Sequence, residues 1–504
     1  MTSITVYDGA NTIGGNKIFV EENGKGIFLD FGMNFKKYHY YFQEFLKERS
    51  SRGIYDLIHL DLIPKLNIYR RDLIPPDLDI STYPKLDIEA ILVSHPHMDH
   101  FGNIGILNVD IPIISSPISL ALMKGMADSS NLSLNYEAAY YSRKGQGLSD
   151  KTLKAKNGAY QSRNLISTES ITEELEQFLS SSLKNSKTLD CGDFCDLSAN
   201  PTQFGIKCYE VDHSIYGATG YIISGENTIA YTGDFRLHGK KAEKSKQFIQ
   251  AAKGSSILII EGTRASRKDV EQSEEEVYDN CLNLIQDSSG VVVTDFSARN
   301  FERLETFEKI GEKCNREIVV PAKQAYLLKA IEQADGSDRI SKILVFDEYK
   351  TTRSHWEDSF LRDQLSYVDP LSIARAPEQY ILCFSLYEIK HLLDIKPQKG
   401  TYIYSSSEAF EEESEFDFIR LHNWLQHFGF EVHGFEIVEK DGKVIPEFIK
   451  GFHASGHASK SDLTWAIDTI DPDYIIPVHT ENPSWFKENF ENVKLLQEGE
   501  KFSI

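Results

Sequence analysis

Short apolar runs that stop on a polar side chain able to bind a metal recur along this chain, and their spacing predicts strands that end at one rim. Residues 91–93 are Ile, Leu and Val, and the loop after them carries His95, His97, Asp99 and His100. Runs at 207–213, 228–234, 257–261 and 473–479 end on His213, Asp234, Glu261 and His479. In sheet proteins, sites gather where strands give way to loops, so the five ends are expected to meet. Residues 4–35 read as two or three strands, with a turn at Gly14, Gly15 and Asn16 and a strand closing on Asp30. That pattern predicts an antiparallel sheet edge. A second set of apolar runs, at 290–296, 317–321, 342–346, 380–384 and 400–405, is separated by helical patterns, as a parallel sheet requires. A helix is expected from about 461 to 470, stopping before Pro472.

Two stretches interrupt this construction. Residues 36–86 are rich in aromatics, with helical stretches and a Pro75-Pro76 exit, and suggest an insertion lining an entrance. Residues 120–190 read as largely helical around a polar middle near 144–164, which suggests a lid or a partner surface. With 504 residues, two domains or one large domain carrying an insertion are expected. The hydrophobic content of 41% is globular, no apolar run approaches the ~20 residues of a membrane helix, and the first residues lack a secretory pattern. A cytoplasmic protein without membrane association is therefore expected. The six scattered cysteines read as reduced thiols.

The net charge of −22 argues against broad attraction to a polyanion but leaves room for a local groove. Basic residues cluster at Arg236, Lys240, Lys241, Lys244 and Lys246 and at Arg264, Arg267 and Lys268. Solvated helix faces would produce the same runs.

The loop after residue 93 is the densest chemical signal. Residues two apart on an extended backbone point the same way, so His95 and His97 can face one side while Asp99 and His100 face the other. One loop could then serve two ions. Imidazole with carboxylate suits zinc and also accepts manganese or iron.

The His-x-His-x-Asp-His arrangement at 95–100, followed by His213, Asp234 and His479, resembles the metallo-β-lactamase hydrolase superfamily. Glu261 before Gly262 and Thr263, together with His453, Ser455, Gly456 and a His457 that stands 22 residues before His479, resembles its nucleic-acid-cutting β-CASP branch. Within that branch the chain is similar to the ribonuclease J group of bacteria and archaea. The resemblance covers roughly residues 1–35, 87–120 and 205–504.

It implies an α/β fold: an αββα metallo-β-lactamase sandwich interrupted by a β-CASP domain with a Rossmann-like parallel sheet. The expected division is 1–269 with insertions near 36–86 and 120–205, then 270–445 for the inserted domain, then 446–504 returning to the first. It also implies two divalent ions, zinc first and manganese as the alternative. His95, His97 and His213 would hold one, Asp99, His100 and His479 the other, and Asp234 would bridge. His457, oriented by Glu261, is the implied proton donor, with Asp99, Glu261 and His457 the implied catalytic residues. His453, Ser455 and the backbone at Gly456 suit a phosphate, as do Ser297, ahead of a predicted helix, and the serines at 405–407. All of these could instead be caps or turns.

The implied activity is hydrolysis of single-stranded RNA, by 5′ to 3′ exonuclease action, internal cuts or both. A DNA nuclease of the same branch is the nearest alternative. A thioesterase or lactonase would share the metal ligands but needs neither Glu261 nor the inserted sheet, and a non-catalytic scaffold should have lost ligands. A homodimer fits the resemblance, although not one built through the additional C-terminal domain common in that group, which the sequence is expected to lack.

Overall fold

In the computed structural model, residues 1–43, 45–130, 133–185, 187–199, 202–267, 272–406, 412–440 and 442–504 are described. Lys268 and Ser407 lie outside them. Strands Thr2–Asp8, Lys17–Glu22 and Lys25–Leu29 pair antiparallel, with Ile4 opposite Val20 and Phe19 opposite Phe28. They are not a sheet edge, as the local pattern suggested. Lys25–Leu29 continues in parallel to Ile88–Leu92, and Lys501–Ser503 pairs beyond Thr2–Asp8. The eight-stranded sheet runs on through Ile113–Ser115, Leu165–Ser167 and Phe194–Asp196.

A five-stranded sheet faces it, ordered Gly205–Glu210, Thr219–Ser224, Thr228–Tyr231, Ile257–Glu261, Tyr474–Val478. Alternation decides which residues meet between the sheets. Ile4, Val6, Ile27, Leu29 and Leu92 from one pack with Tyr221, Ile229, Ile257, Ile259, Ile476 and Val478 from the other. Leu258, Ile260 and Ile475 point outward and are covered by Phe248 and Ile249 of helix Ala242–Ala251 and by Leu463, Ile467 and Ile470 of helix Lys460–Ile470. Both faces of Ile257–Glu261 are thus covered, which is why every residue in it is buried and apolar until the final glutamate. The result is the αββα sandwich.

Between Glu261 and Tyr474 the chain builds a seven-stranded parallel sheet ordered Tyr367–Val368, Ile343–Phe346, Glu317–Val320, Tyr380–Cys383, Val291–Asp295, Gly400–Tyr404, Phe430–His433. All five apolar runs assigned to it are strands. Hairpin Phe435–Lys440 and Lys443–Phe448 follows. Helix Pro117–Ser129 of the sandwich packs on helix Ala322–Asp335 of the inserted unit, where Gly125 allows close approach to Leu327 and Ala330. There Asp128 is buried with Lys124 at 2.5 Å, and it accepts hydrogen bonds from Tyr140 and Tyr326, each at 2.7 Å.

Residues 120–190 are not mainly helical. Helices occupy Pro117–Ser129 and Glu173–Leu179, and between and beyond them lie strands of two or three residues. Leu165–Ser167 and Phe194–Asp196 extend the first sheet, so part of the expected insertion belongs to the sandwich. Strands this short carry no readable alternation, and pairing with an existing edge decides their conformation. Among the described residues no helix is long and apolar enough to cross a membrane.

Removing the carboxylate in Asp128→Ala leaves the Lys124 ammonium and two tyrosine hydroxyls buried without their partner. A destabilisation of about 3–5 kcal/mol is expected, read as a lower urea midpoint of unfolding.

Candidate metal centre

Strand Ile88–Leu92 leads through Val93 and Ser94 into an extended stretch at His97 (φ −83°, ψ 145°), and helix Met98–Phe101 starts immediately after it. This change of backbone direction sends the four motif side chains into separate groups. His95, His97 and His213 form one group, and Asp99, His100 and His479 another. Asp234 joins three more, with His95 and His100, with His213 and His457, and with Glu261 and His479. In every group the candidate ligand atoms lie within 4.8 Å of one another.

His97 Nδ1 is 3.0 Å from His95 Nε2 and 3.2 Å from His213 Nε2. Nitrogens about 2.0–2.1 Å from a tetrahedral zinc would be separated by about 3.3 Å, so the three imidazoles already have the spacing of a ligand set. His100 Nε2 and Asp234 Oδ1 are buried without a hydrogen-bond partner, and His100 Nε2 lies 3.2 Å from Asp234 Oδ2 without hydrogen-bond alignment. Orphaned buried atoms are costly unless something else satisfies them, and a cation fits these donors.

The second nitrogens of four of these rings are engaged, which aims the first ones, and His95 Nδ1 lies 3.0 Å from Ser94 Oγ. His100 Nδ1 is 2.7 Å from Asp30, whose carboxylate also accepts from Ser94 N, Ser94 Oγ and Tyr231 OH. His213 Nδ1 donates to Gly456 O at 2.6 Å. His479 Nδ1 donates to Thr263 Oγ1 at 2.9 Å, and that hydroxyl donates to Glu261 at 2.7 Å. Such outer partners fix tautomer and ring direction at metal sites. Asp30 (φ 58°) and His479 (φ 52°) both hold left-handed backbone, which costs a residue with a side chain about 1–3 kcal/mol.

Residues 31–33 zip onto the motif: Phe31 N donates to His100 O and Met33 N to Met98 O. The backbones touch so closely that a Cβ on Gly32 would sit 1.7 Å from Asp99 O. The Gly14–Gly15 turn closes on the same place, with Gly14 against the Asp99 side chain and Gly15 N donating to Asp99 O.

Burial pushes His95 and His97 well below the usual imidazole range, helped by His100 at the first and His213 at the second, and it takes His213 to about 4. These rings are neutral near pH 7, the form that binds a cation. Burial opposes ionisation of Asp99 and Asp234, but neighbouring imidazoles outweigh it and hold both carboxyls below the ordinary range. Burial also opposes charge on His457, where Glu261 and Asp234 prevail and raise its pKa. His457 Nδ1 lies 3.0 Å from Glu261 Oε2 and 3.8 Å from Asp234 Oδ2.

A buried ionic network holds the loop that carries His457. Arg236, two residues after Asp234, contacts Asp212, Glu274 and Glu302 and donates to Ser455 O. Arg303 pairs with Glu274 and donates to Ser405 O and Phe452 O. Glu302 and Arg303 lie in the first turn of Phe301–Cys314, and Glu274 opens Glu274–Asp287, so the inserted unit grips both the metal strands and the 452–457 loop. The basic run at 236–246 is therefore no groove. Arg236 is inside the network, and Lys240, Lys241, Lys244 and Lys246 are paired with Glu305, Glu210, Glu210 and Glu243.

A cleft of about 360 Å³ opens over the site and is lined by His97, His213, His457, His453, Ser455, Gly456 and Ser297, with Arg264, Arg267, Lys450, Phe448 and Ile449 further out. Burial and the nearby Arg303 take His453 to about 3, so its ring is neutral near pH 7. Ser297 stands in the loop before Asn300, which itself caps Phe301–Cys314. Ser405 does not reach the cleft. Its hydroxyl is buried and donates to Phe452 O at 2.5 Å, and Ser406 takes the lining position. Asp30, Thr263, Arg236 and Arg303 have supporting roles that the chain's local pattern did not announce, although Asp30 ends a strand as the ligand-type residues do.

A family model described as "Zn-dependent metallo-hydrolase RNA specificity domain" matches residues 441–494. Over 95% of its length the chain is 21% identical to "Ribonuclease J" of Pyrococcus abyssi, covering 90% of that protein. It is 20% identical to "Ribonuclease J" of Helicobacter pylori (strain J99), again over 95% of its length, but spans only 56% of that relative. A crystal structure of a protein of unknown function from Enterococcus faecalis V583 superposes with a TM-score of 0.67 at 20% identity, covering 99% of both chains. The homology is distant and consistent, the sheets and grouped metal-type side chains are consistent with a metallo-β-lactamase architecture carrying a β-CASP insertion, and the clusters support a hydrolase active site.

Gly32→Ala is expected to displace Asp99 and lower the metal content of the purified protein. Elemental analysis alongside circular dichroism checks this, with metal depleted while helix and sheet content persist.

Proposed function

We propose that this chain is a metal-dependent ribonuclease that hydrolyses phosphodiester bonds of single-stranded RNA from a 5′ end, internally, or both. The observation that carries the reading is the His457–Glu261 pair, set beside Asp234 at the floor of a cleft shared with candidate metal ligands. A small-ester hydrolase has no need of that pair. The match over residues 441–494 and the printed names of the relatives support RNA as substrate.

In this reading His95, His97 and His213 would hold one divalent ion, Asp99, His100 and His479 would hold the second, and Asp234 would serve both, with zinc preferred and manganese as the alternative. Bound ions of this kind lower the pKa of water and neutralise charge on phosphoryl oxygens. The protein supplies the rest. His457, whose pKa Glu261 and Asp234 raise, gives its proton to the leaving ribose oxygen, and Glu261 holds the ring through Nδ1, leaving Nε2 for that transfer. His453 and Ser455 orient a neighbouring phosphate through neutral donors, while Arg264 and Arg267 meet the backbone further out. A DNA nuclease would use the same groups.

Digestion of 5′-labelled RNA and DNA of one sequence, with manganese or zinc, tests the assignment. RNA cleavage that Asp99→Ala abolishes is expected, and DNA cleavage at an equal rate would move the substrate to DNA. His457→Ala should slow cleavage about 10²–10⁴-fold. Since Glu261 raises the His457 pKa, the acid form disappears at lower pH without it. In Glu261→Gln the alkaline limb of the pH–rate profile should therefore move to lower pH.

A further inference from the structure

Residues 143–156 hold five basic residues and one acidic one, in a chain where Asp and Glu outnumber Lys and Arg by 76 to 54. They form a hairpin, Lys144–Gln146 with Leu153–Ala155, whose tip is exposed around Leu148. In this register Gly145 faces Lys154, and Lys156 N donates to Arg143 O, so Arg143 and Lys156 stand opposite each other. Arg143, Lys154 and Lys156 therefore share one face, with Lys144 on the other. The Lys156 stem lies over Gly145, where a Cβ would meet its Cε at 2.7 Å.

Like charges directly across a strand pair are destabilising, and here no ion pair with a carboxylate offsets them among the described residues, although Lys151 acts on Asp77 at longer range. Among the described residues no carboxylate lies within 4.0 Å of Arg143, Lys151, Lys154 or Lys156, and the first donates only to Gln161. The carboxylates at the base are already taken by arginines: Asp56 by Arg49, Asp77 by Arg52, and Asp72 and Glu137 by Arg70. The hairpin is nonetheless firmly anchored. Arg52 donates to Lys151 O, Arg70 donates to Ser142 O at 3.2 Å, and Lys144 N donates to Asp72 at 2.8 Å. Arg70 also binds Gly105 O, two residues from the Asn103 side chain that holds Gly32 O beneath Asp99. A fixed ribbon of cations without ion-pair partners among the described residues is thus built on the supports of the metal loop.

We infer that this face binds the phosphate backbone of RNA outside the cleft, holding the part of a long substrate that the cleft does not enclose. Lys154 and Lys156, two positions apart on one face, stand about 7 Å apart, a spacing that suits successive phosphates of an extended strand. The inference rests on the ribonuclease reading for its ligand but not on turnover.

The test is binding of a fluorescent single-stranded RNA in EDTA, across about 50–200 mM salt, by the parent and by Arg143→Gln, Lys151→Gln, Lys154→Gln, Lys156→Gln combined. The variant should bind at least tenfold more weakly at the low-salt end. Its slope of log K against log salt should be shallower by about 0.7 for each phosphate it no longer neutralises, or about 2–3 in all. With metal restored, its hydrolysis of bis(p-nitrophenyl) phosphate should stay within twofold of the parent, and a version with lysines changed to arginine should keep RNA affinity. Equal slopes, or no RNA binding by the parent, would overturn the inference, as would a weakening seen only with anionic lipid vesicles. Hairpin-dependent binding of RNA that the metal-loaded parent never cuts would leave the surface standing and reject the ribonuclease reading instead.

Discussion

Unshared electron pairs brought face to face by buried side chains are the constraint around which this molecule is organised. Three imidazole nitrogens converge at 3.0–3.2 Å, and an aspartate oxygen beside them lacks any partner. Left bare, such a cluster repels itself, so the backbone that assembles it has to be rigid before any cation arrives. Left-handed backbone at Asp30 and His479, and a glycine lying flush against Asp99, are unfavourable locally and persist because their surroundings over-determine them.

The inserted parallel sheet contributes through charge as well as through its loops. Arg236 and Arg303 are almost fully enclosed, and their carboxylate partners come from different helices. Buried ion pairs are poor evidence for stability because desolvation consumes most of the attraction. Their value here is geometric. The same guanidinium groups hold the carbonyls of Phe452 and Ser455, so the position of His457 relative to Asp234 is set where the two halves of the molecule meet.

Four of the five strand-end side chains were legible because each follows a short, mostly apolar run, whereas His213 follows a mixed run with Lys207, Glu210 and Asp212 and stands out only beside the other four. The two faces of the sandwich follow from the same alternation. Asp30 ends a strand in the same way, yet its role depends on Ser94, Tyr231 and His100, which only the fold brings near. Partners distant in sequence also account for the basic run at 236–246, neutralised by Glu210, Glu243, Glu302 and Glu305. The strands between 140 and 196 are too short for periodicity, and Ser405 shows how one position separates a buried hydroxyl from an exposed one. The pairing of Glu261 with His457 came from family likeness rather than from any local signal, and the two are 3.0 Å apart.

Strand Ile257–Glu261 has Tyr474–Val478 as its neighbour, although some two hundred residues of chain separate them. Glu261 therefore emerges from the ribosome long before the strand that delivers His479, and the loop bearing His457 comes late as well. A nascent or prematurely terminated polypeptide holds only part of the candidate metal centre. Chain order therefore leaves the candidate metal centre incomplete until His479, the last of its grouped side chains, has been synthesised.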